Sequence, residues 1–169
     1  MPLDFTPLPS VPLPSLVPTR TPAGPSIIPS WPVGWDISFC TAFNDVTVDH
    51  ELVIDIERAI ADGSQDDAQG LANQLAQTAP LTSSELTKLK DWAPATDLQA
   101  SLVSLIDLDT QVGAAYQSYF NDGVKPALKQ ARQLRTQVGK QVTPINTQLQ
   151  QLTHLGLSCP DHDLKLESF

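Results

Sequence analysis

Residues 96–157 carry two apolar seams joined by one strong turn, and that pairing limits the folds open to this chain. From Thr96, Leu98, Leu102, Leu105, Ile106, Val112, Tyr116, Tyr119 and Phe120 fall on one face when successive residues are rotated by helical steps. Asn121-Asp122-Gly123 then stops the helix, because glycine enters the left-handed conformation without steric cost. A second arm restarts near Pro126, a residue suited to a first helical turn. Its seam is Leu128, Ala131, Leu134, Val138, Val142, Ile145, Leu149 and Leu152, a coiled-coil-like spacing of threes and fours. The seam keeps its phase across Pro144, which predicts a kinked helix rather than a break. Thr96 with Gln99 has the spacing of a capping box.

Asp109 interrupts the first seam. A carboxylate on an apolar face is costly unless it is wet or paired. Either Asp109 reaches water at a boundary position, which is the plainer reading, or it pairs across the antiparallel hairpin with Arg135. Lys125, Lys129, Arg132 and Lys140 lie opposite the second seam, as a solvated face or as a docking strip for an acidic partner.

Ahead of the hairpin, residues 36–95 read as a small subdomain. Ile37, Phe39, Thr41 and Phe43 alternate, and Asn44-Asp45 precedes Val46 and Val48. This predicts a short β-hairpin. Three short helices should follow. The first spans residues 49–62. The second is capped by Ser64 and ends before Pro80. The third starts at Thr82 and ends before Pro94.

Residues 1–35 hold ten of the fifteen prolines, and Pro-Leu-Pro-Ser occurs at 7–10 and again at 12–15. Such a segment favours extended polyproline II. Only Asp4 and Arg20 are charged, whereas solvated arms are usually poor in large apolar residues. Leu8, Val11, Leu13, Leu16, Ile27, Ile28, Trp31 and Trp35 are therefore the candidate partner-binding residues. The plainer alternative is a loose tail. A ligand for SH3-like domains is weakly signalled, since the PxxP matches lack a nearby basic residue.

The expected fold is mainly α. It has an extended proline-rich arm (1–35), a β-hairpin with short helices (36–95), a long antiparallel helical hairpin (96–157) and a polar, irregular tail (158–169). No run is apolar enough for a membrane span, and the first residues lack the pattern of a signal peptide, so a soluble chain of unassigned compartment is expected. For that reason Cys40 and Cys159 are expected to be free thiols. A Cys40–Cys159 bridge, and a metal site built from His154, Cys159, His162 and Asp163, are the alternatives.

No catalytic or cofactor motif is present. Asp62 to Asp67 lacks the alternating ligands of a calcium loop. His50, between Asp49 and Glu51, is more naturally a helix-start residue than a base. Asp107 and Asp109 point apart on a helix. A formal charge of -9 disfavours nucleic acid. The expectation is a non-enzymatic structural or adaptor subunit of a larger protein assembly, such as a virus or phage particle, without cofactor or metal. The alternative is a small helical-bundle module that binds a peptide or apolar ligand, in a cavity lined by Trp92, Tyr116, Tyr119 and Phe120. An enzyme ranks third.

Overall fold

The computed structural model describes residues 30–160 and 162–169. Among them are four long helices, α1 (Trp35–Ala61), α2 (Gln65–Thr87), α3 (Thr96–Asp122) and α4 (Lys125–His154). A single 3-10 turn, Ala93–Ala95, leads into α3. The fold is mainly helical, and no strand occurs among the described residues. Leu8, Val11, Leu13, Leu16, Ile27 and Ile28 lie outside the described residues.

The β-hairpin expected at 36–48 is replaced by the first half of α1. Its alternation was ambiguous, because a step of four is a multiple of two. Phe39 and Phe43 are four apart and satisfy either period. The longer series Trp35, Phe39, Phe43, Val46, Val53 and Ile56 is helical, and all six are buried. Ile37 and Val48, which complete the strand reading, are exposed at 71% and 42%. The second correction is at Pro80, which lies inside a continuous α2 rather than between two helices. Pro144 lies inside α4 in the same way. Each proline removes one N–H and frees one carbonyl. Both proline side chains are exposed. Thr96 and Gln99 form no capping box. Thr96 Oγ1 donates to the Trp92 carbonyl, and Gln99 Nε2 donates to the Leu86 carbonyl.

The α3–α4 hairpin matches its expected outline. Gly123 ends α3 at φ 67°, and Val124 N–H returns to the Ser118 carbonyl. Gln141 Nε2 donates to Ser104 Oγ, as antiparallel register requires. Helices α1, α2, α3 and α4 pack in chain order, each on the next. Helices α2 and α3 approach most closely at Gly113. A Cβ there would lie 3.0 Å from Ala76 N and 3.2 Å from Leu75 Cγ.

Helices α1 and α4, which would close a four-helix square, scarcely touch. The tail after α4 fills the seam between them. Cys159 is bridged to Cys40 on α1, with 5.5 Å between the Cα atoms. This overturns the expectation of free thiols and removes Cys159 as a metal ligand. His162 then stacks on Phe43, with ring centroids 5.9 Å apart. The Asn146 side chain on α4 clamps the backbone of Leu166, donating to its carbonyl at 2.9 Å and accepting from its N–H at 2.8 Å. Leu166 is fully buried. The tail thus runs parallel to α1 and antiparallel to α4. It is irregular, as expected, but it forms part of the core.

Two predictions follow from this packing. Gly113→Ala should lower stability by about 1–3 kcal/mol, because backbone at Ala76 cannot yield as a side chain would. Gly70→Ala, which meets nothing within 4 Å, should gain about 0.5–1 kcal/mol from helix propensity. Urea melts of the two variants should shift in opposite directions. A shared direction would contradict the close approach. Replacing both cysteines by serine reopens a loop spanning 119 residues and should cost about 2–5 kcal/mol. Equal midpoints for parent and double variant under non-reducing conditions would contradict a closed bridge.

Candidate functional site

The root of the arm lies at the start of α1. Trp35 is buried, stacks on Phe39 with centroids 4.9 Å apart, and donates its indole N–H to the Lys90 carbonyl at 3.0 Å. Trp31 is half-buried and meets Trp92 edge-on at 5.8 Å. These two members of the candidate partner-binding set therefore pack on this chain's own core. They place residues 31–35, the root of the arm, on the inward side of α1, against the 3-10 turn.

The outward side of the same helix differs. Ile37, Thr41 and Asn44 project away from the core at steps of four and three, with Val33 one turn earlier and 95% exposed. The disulfide brings Ser158, Pro160 and His162 against this face. With Asp36 and Cys40 they line an open pocket of about 440 Å³. Its walls come from chain segments more than a hundred residues apart, so sequence reading could not assemble it. The only sequence signal was the pair of cysteines.

A second polar group lies inside the bundle. Asp49 on α1 accepts hydrogen bonds from Thr78 and Thr82 on α2, the latter at 2.6 Å. Asp109 on α3 is fully buried, and neither of its carboxylate oxygens has a hydrogen-bond partner among the described residues. Both readings of Asp109 therefore fail. It does not reach water, and no ion pair with Arg135 forms. Arg135 instead lies over the ring of the C-terminal Phe169, 4.4 Å from its centroid. Burial, reinforced by the negative charge of Asp49, pushes the Asp109 carboxyl well above the usual carboxylate range. Burial raises Asp49 too, against the lowering effect of its two threonine donors, with Asp45 adding to the rise. Thr78 and Thr82 precede and follow Pro80 on the inner side of α2, so the polar cluster sits beside the proline turn.

A third group closes the other end of the α1–α4 seam. Arg132 on α4 grips Glu57 on α1 through two bonds of 3.0 and 3.2 Å. Tyr116 on α3 donates to the same carboxylate. Burial pushes Glu57 up, but the hydrogen bonds from Arg132 and Tyr116 outweigh it and hold the carboxyl below its usual value. Within the basic face of α4, Arg132 is thus committed inside the chain. The aromatic cavity expected for a binding module does not form. Trp92 lies before the start of α3, with Trp31 and Trp35, whereas Tyr116, Tyr119 and Phe120 cluster at its far end.

Among the described residues, the unpartnered Asp109 carboxyl is enclosed in the bundle. Comparisons of this chain with protein-family models, with curated proteins and with solved structures each found no match.

The buried acid makes a prediction with a definite sign. An unfolded aspartate releases its proton near 3.8, whereas folded Asp109 keeps its proton to higher pH. Between those values the folded state binds more protons. Its contribution to stability is therefore complete below 3.8 and is lost as pH rises towards the folded value, with a slope of up to about 1.4 kcal/mol per pH unit. Asp109→Asn cannot titrate. Urea melts between about pH 4.5 and 8 should show parent stability falling relative to the variant as pH rises. Parallel curves would contradict a protonated Asp109.

Proposed function

We propose that this chain is a structural or adaptor subunit of a larger protein assembly, of the kind that builds virus or phage particles, and that its apolar N-terminal arm holds neighbouring subunits. The observation that carries this reading is the contrast between arm and core. The described core closes its own interior between Trp35 and Leu166. The arm ahead of it adds Leu8, Val11, Leu13, Leu16, Ile27 and Ile28 among prolines, with two charged residues. Burying one large apolar side chain is worth about 1.5–3 kcal/mol, so several such residues favour a surface on which to lie. Val33 and Ile37 extend the apolar series onto the outside of α1. The disulfide fits the same reading, because such bonds persist in oxidising surroundings, virion surfaces among them.

A small helical-bundle binding module is the second reading, favoured by the open pocket beside the disulfide. Its volume is within the range of small-ligand and peptide sites.

Deleting residues 1–30 separates the two readings. The truncated chain should keep the helical circular-dichroism spectrum of the parent but fall to monomer mass in size-exclusion chromatography with light scattering. A truncated chain that assembles like the parent would overturn the assembly reading. A full-length chain that is already monomeric would overturn it in favour of the binding module.

A further inference from the structure

We infer that the pocket beside the Cys40–Cys159 bridge is the receptor for the arm, and that it takes a Pro-Leu-Pro-Ser segment from a second copy of this chain. This rests on the assembly reading and adds the site at which the arm docks.

Two observations converge on it. The first is chemical. Cys40 of the bridge lines the pocket, and Ile37 and Pro160 give it apolar walls. Among the described residues that line it, Asp36 is the single carboxylate, and the two Pro-Leu-Pro-Ser segments carry no charge at all. A polyproline II strand makes no internal hydrogen bonds and presents its carbonyls outward. Exposed Asn44 and Ser158 stand at the rim as donors for such carbonyls. A leucine set between prolines supplies an apolar knob on a stiff backbone, which suits a shallow pocket of about 440 Å³.

The second observation is exposure. Ile37 is 71% exposed and Val33 is 95% exposed, one helical turn apart beside the pocket. They give an arriving strand an apolar track that continues the pocket along α1.

The choice of copy comes from the assembly reading, in which the arm holds a neighbouring subunit. Trp31 and Trp35 fix the root of the arm against Trp92, on the inward side of α1. The pocket opens on the outward side, where Ile37, Thr41 and Asn44 project. On that reading the segment in the pocket comes from a second copy. A head-to-tail contact of this type, arm to pocket, propagates from copy to copy.

The pocket also depends on the bridge. Ser158, Pro160 and His162 are held against α1 by Cys159. Reduction would free one wall, so arm docking should require the oxidised protein.

The test uses the full chain with a photo-reactive phenylalanine analogue in place of Leu13. Equal amounts of light and nitrogen-15-labelled protein are mixed, irradiated and digested. The expected cross-links join the arm to peptides covering residues 35–44 or 158–162, and half of them are light–heavy pairs. Ile37→Asp, at an exposed position, should reduce their yield about tenfold, the effect of losing one apolar anchor. Reductant should reduce it similarly. Light–heavy cross-links that map elsewhere would overturn the receptor while leaving the arm as the connector. Cross-links at the pocket without light–heavy pairs would overturn the exchange between copies. No arm cross-links, from a chain that is monomeric by light scattering, would overturn both the receptor and the assembly reading.

Discussion

The seam between α1 and α4 is closed by a strap of the chain's own tail rather than by helix against helix. This contact governs the rest of the structure. Helices α1 to α4 pack in sequence order, and each neighbouring pair needs only local pairing. Joining the first to the last is the requirement of longest range. The tail meets it with a covalent tie at Cys159, a backbone clamp at Asn146 and two apolar insertions, Leu157 and Leu166. The final residue matters as well. Phe169 stacks on His50, lies beneath Arg135, and occupies the space that any side chain at Gly139 would need. At the far end, beyond the tail's reach, Glu57 and Arg132 join the same two helices directly.

The strap carries its own sensitivity to acid. His50 Nε2 lies 2.8 Å from the Glu167 carbonyl, and Nδ1 is buried with no hydrogen-bond partner among the described residues. Burial, aided by the Arg135 charge and opposed by Glu167, holds the imidazole below its ordinary value of 6.5. A solvated His50 takes up a proton at a pH where the docked one refuses it. Docking is therefore complete above 6.5 and weakens as pH falls towards the docked value. The buried aspartates have the opposite sign. The bundle thus holds one polar group that favours higher pH and one that favours lower pH, on either side of α1.

Much of the helical hairpin was legible because its seams are long and a single glycine marks the turn. Gly123, Pro126 and the residues from Leu98 to Leu152 each announce themselves locally. The start of α1 was not legible, because Phe39 and Phe43 satisfy two periods and β-branched Thr41, Val46 and Val48 favour the wrong one. Pro80 also misled. A lone proline usually ends a helix, because it removes an N–H and its ring crowds the preceding turn, and here the packing of α2 on either side outweighs that cost. The tail was misread as surface, although Leu164 and Leu166 alternate with Asp163, Lys165 and Glu167 as a half-buried strand would. Asp109 was correctly seen as anomalous. Its resolution, a carboxyl pushed well above its usual range by burial and by the charge of Asp49, required knowing that α1 and α3 meet. The pocket could not be read at all, since it exists only where the bridge joins the two ends of the core.

For the proposed role, a closed core is as important as an adhesive arm. A subunit that binds its neighbours through an extended segment must not itself be pulled open, and the strap and bridge tie together the helices that local packing leaves apart. The same tie forms the pocket to which the arm is assigned. Stability of the subunit and availability of its docking site would then depend on one contact. Amide hydrogen exchange at Leu166 reads that contact directly. If the strap closes the seam, the Leu166 N–H, bonded to Asn146 Oδ1 at 2.8 Å, is protected at neutral pH to nearly the degree of the α1 interior. That protection should fall when Asn146 is replaced by alanine. Exchange at the rate of a free peptide at neutral pH would show that the tail does not close the bundle.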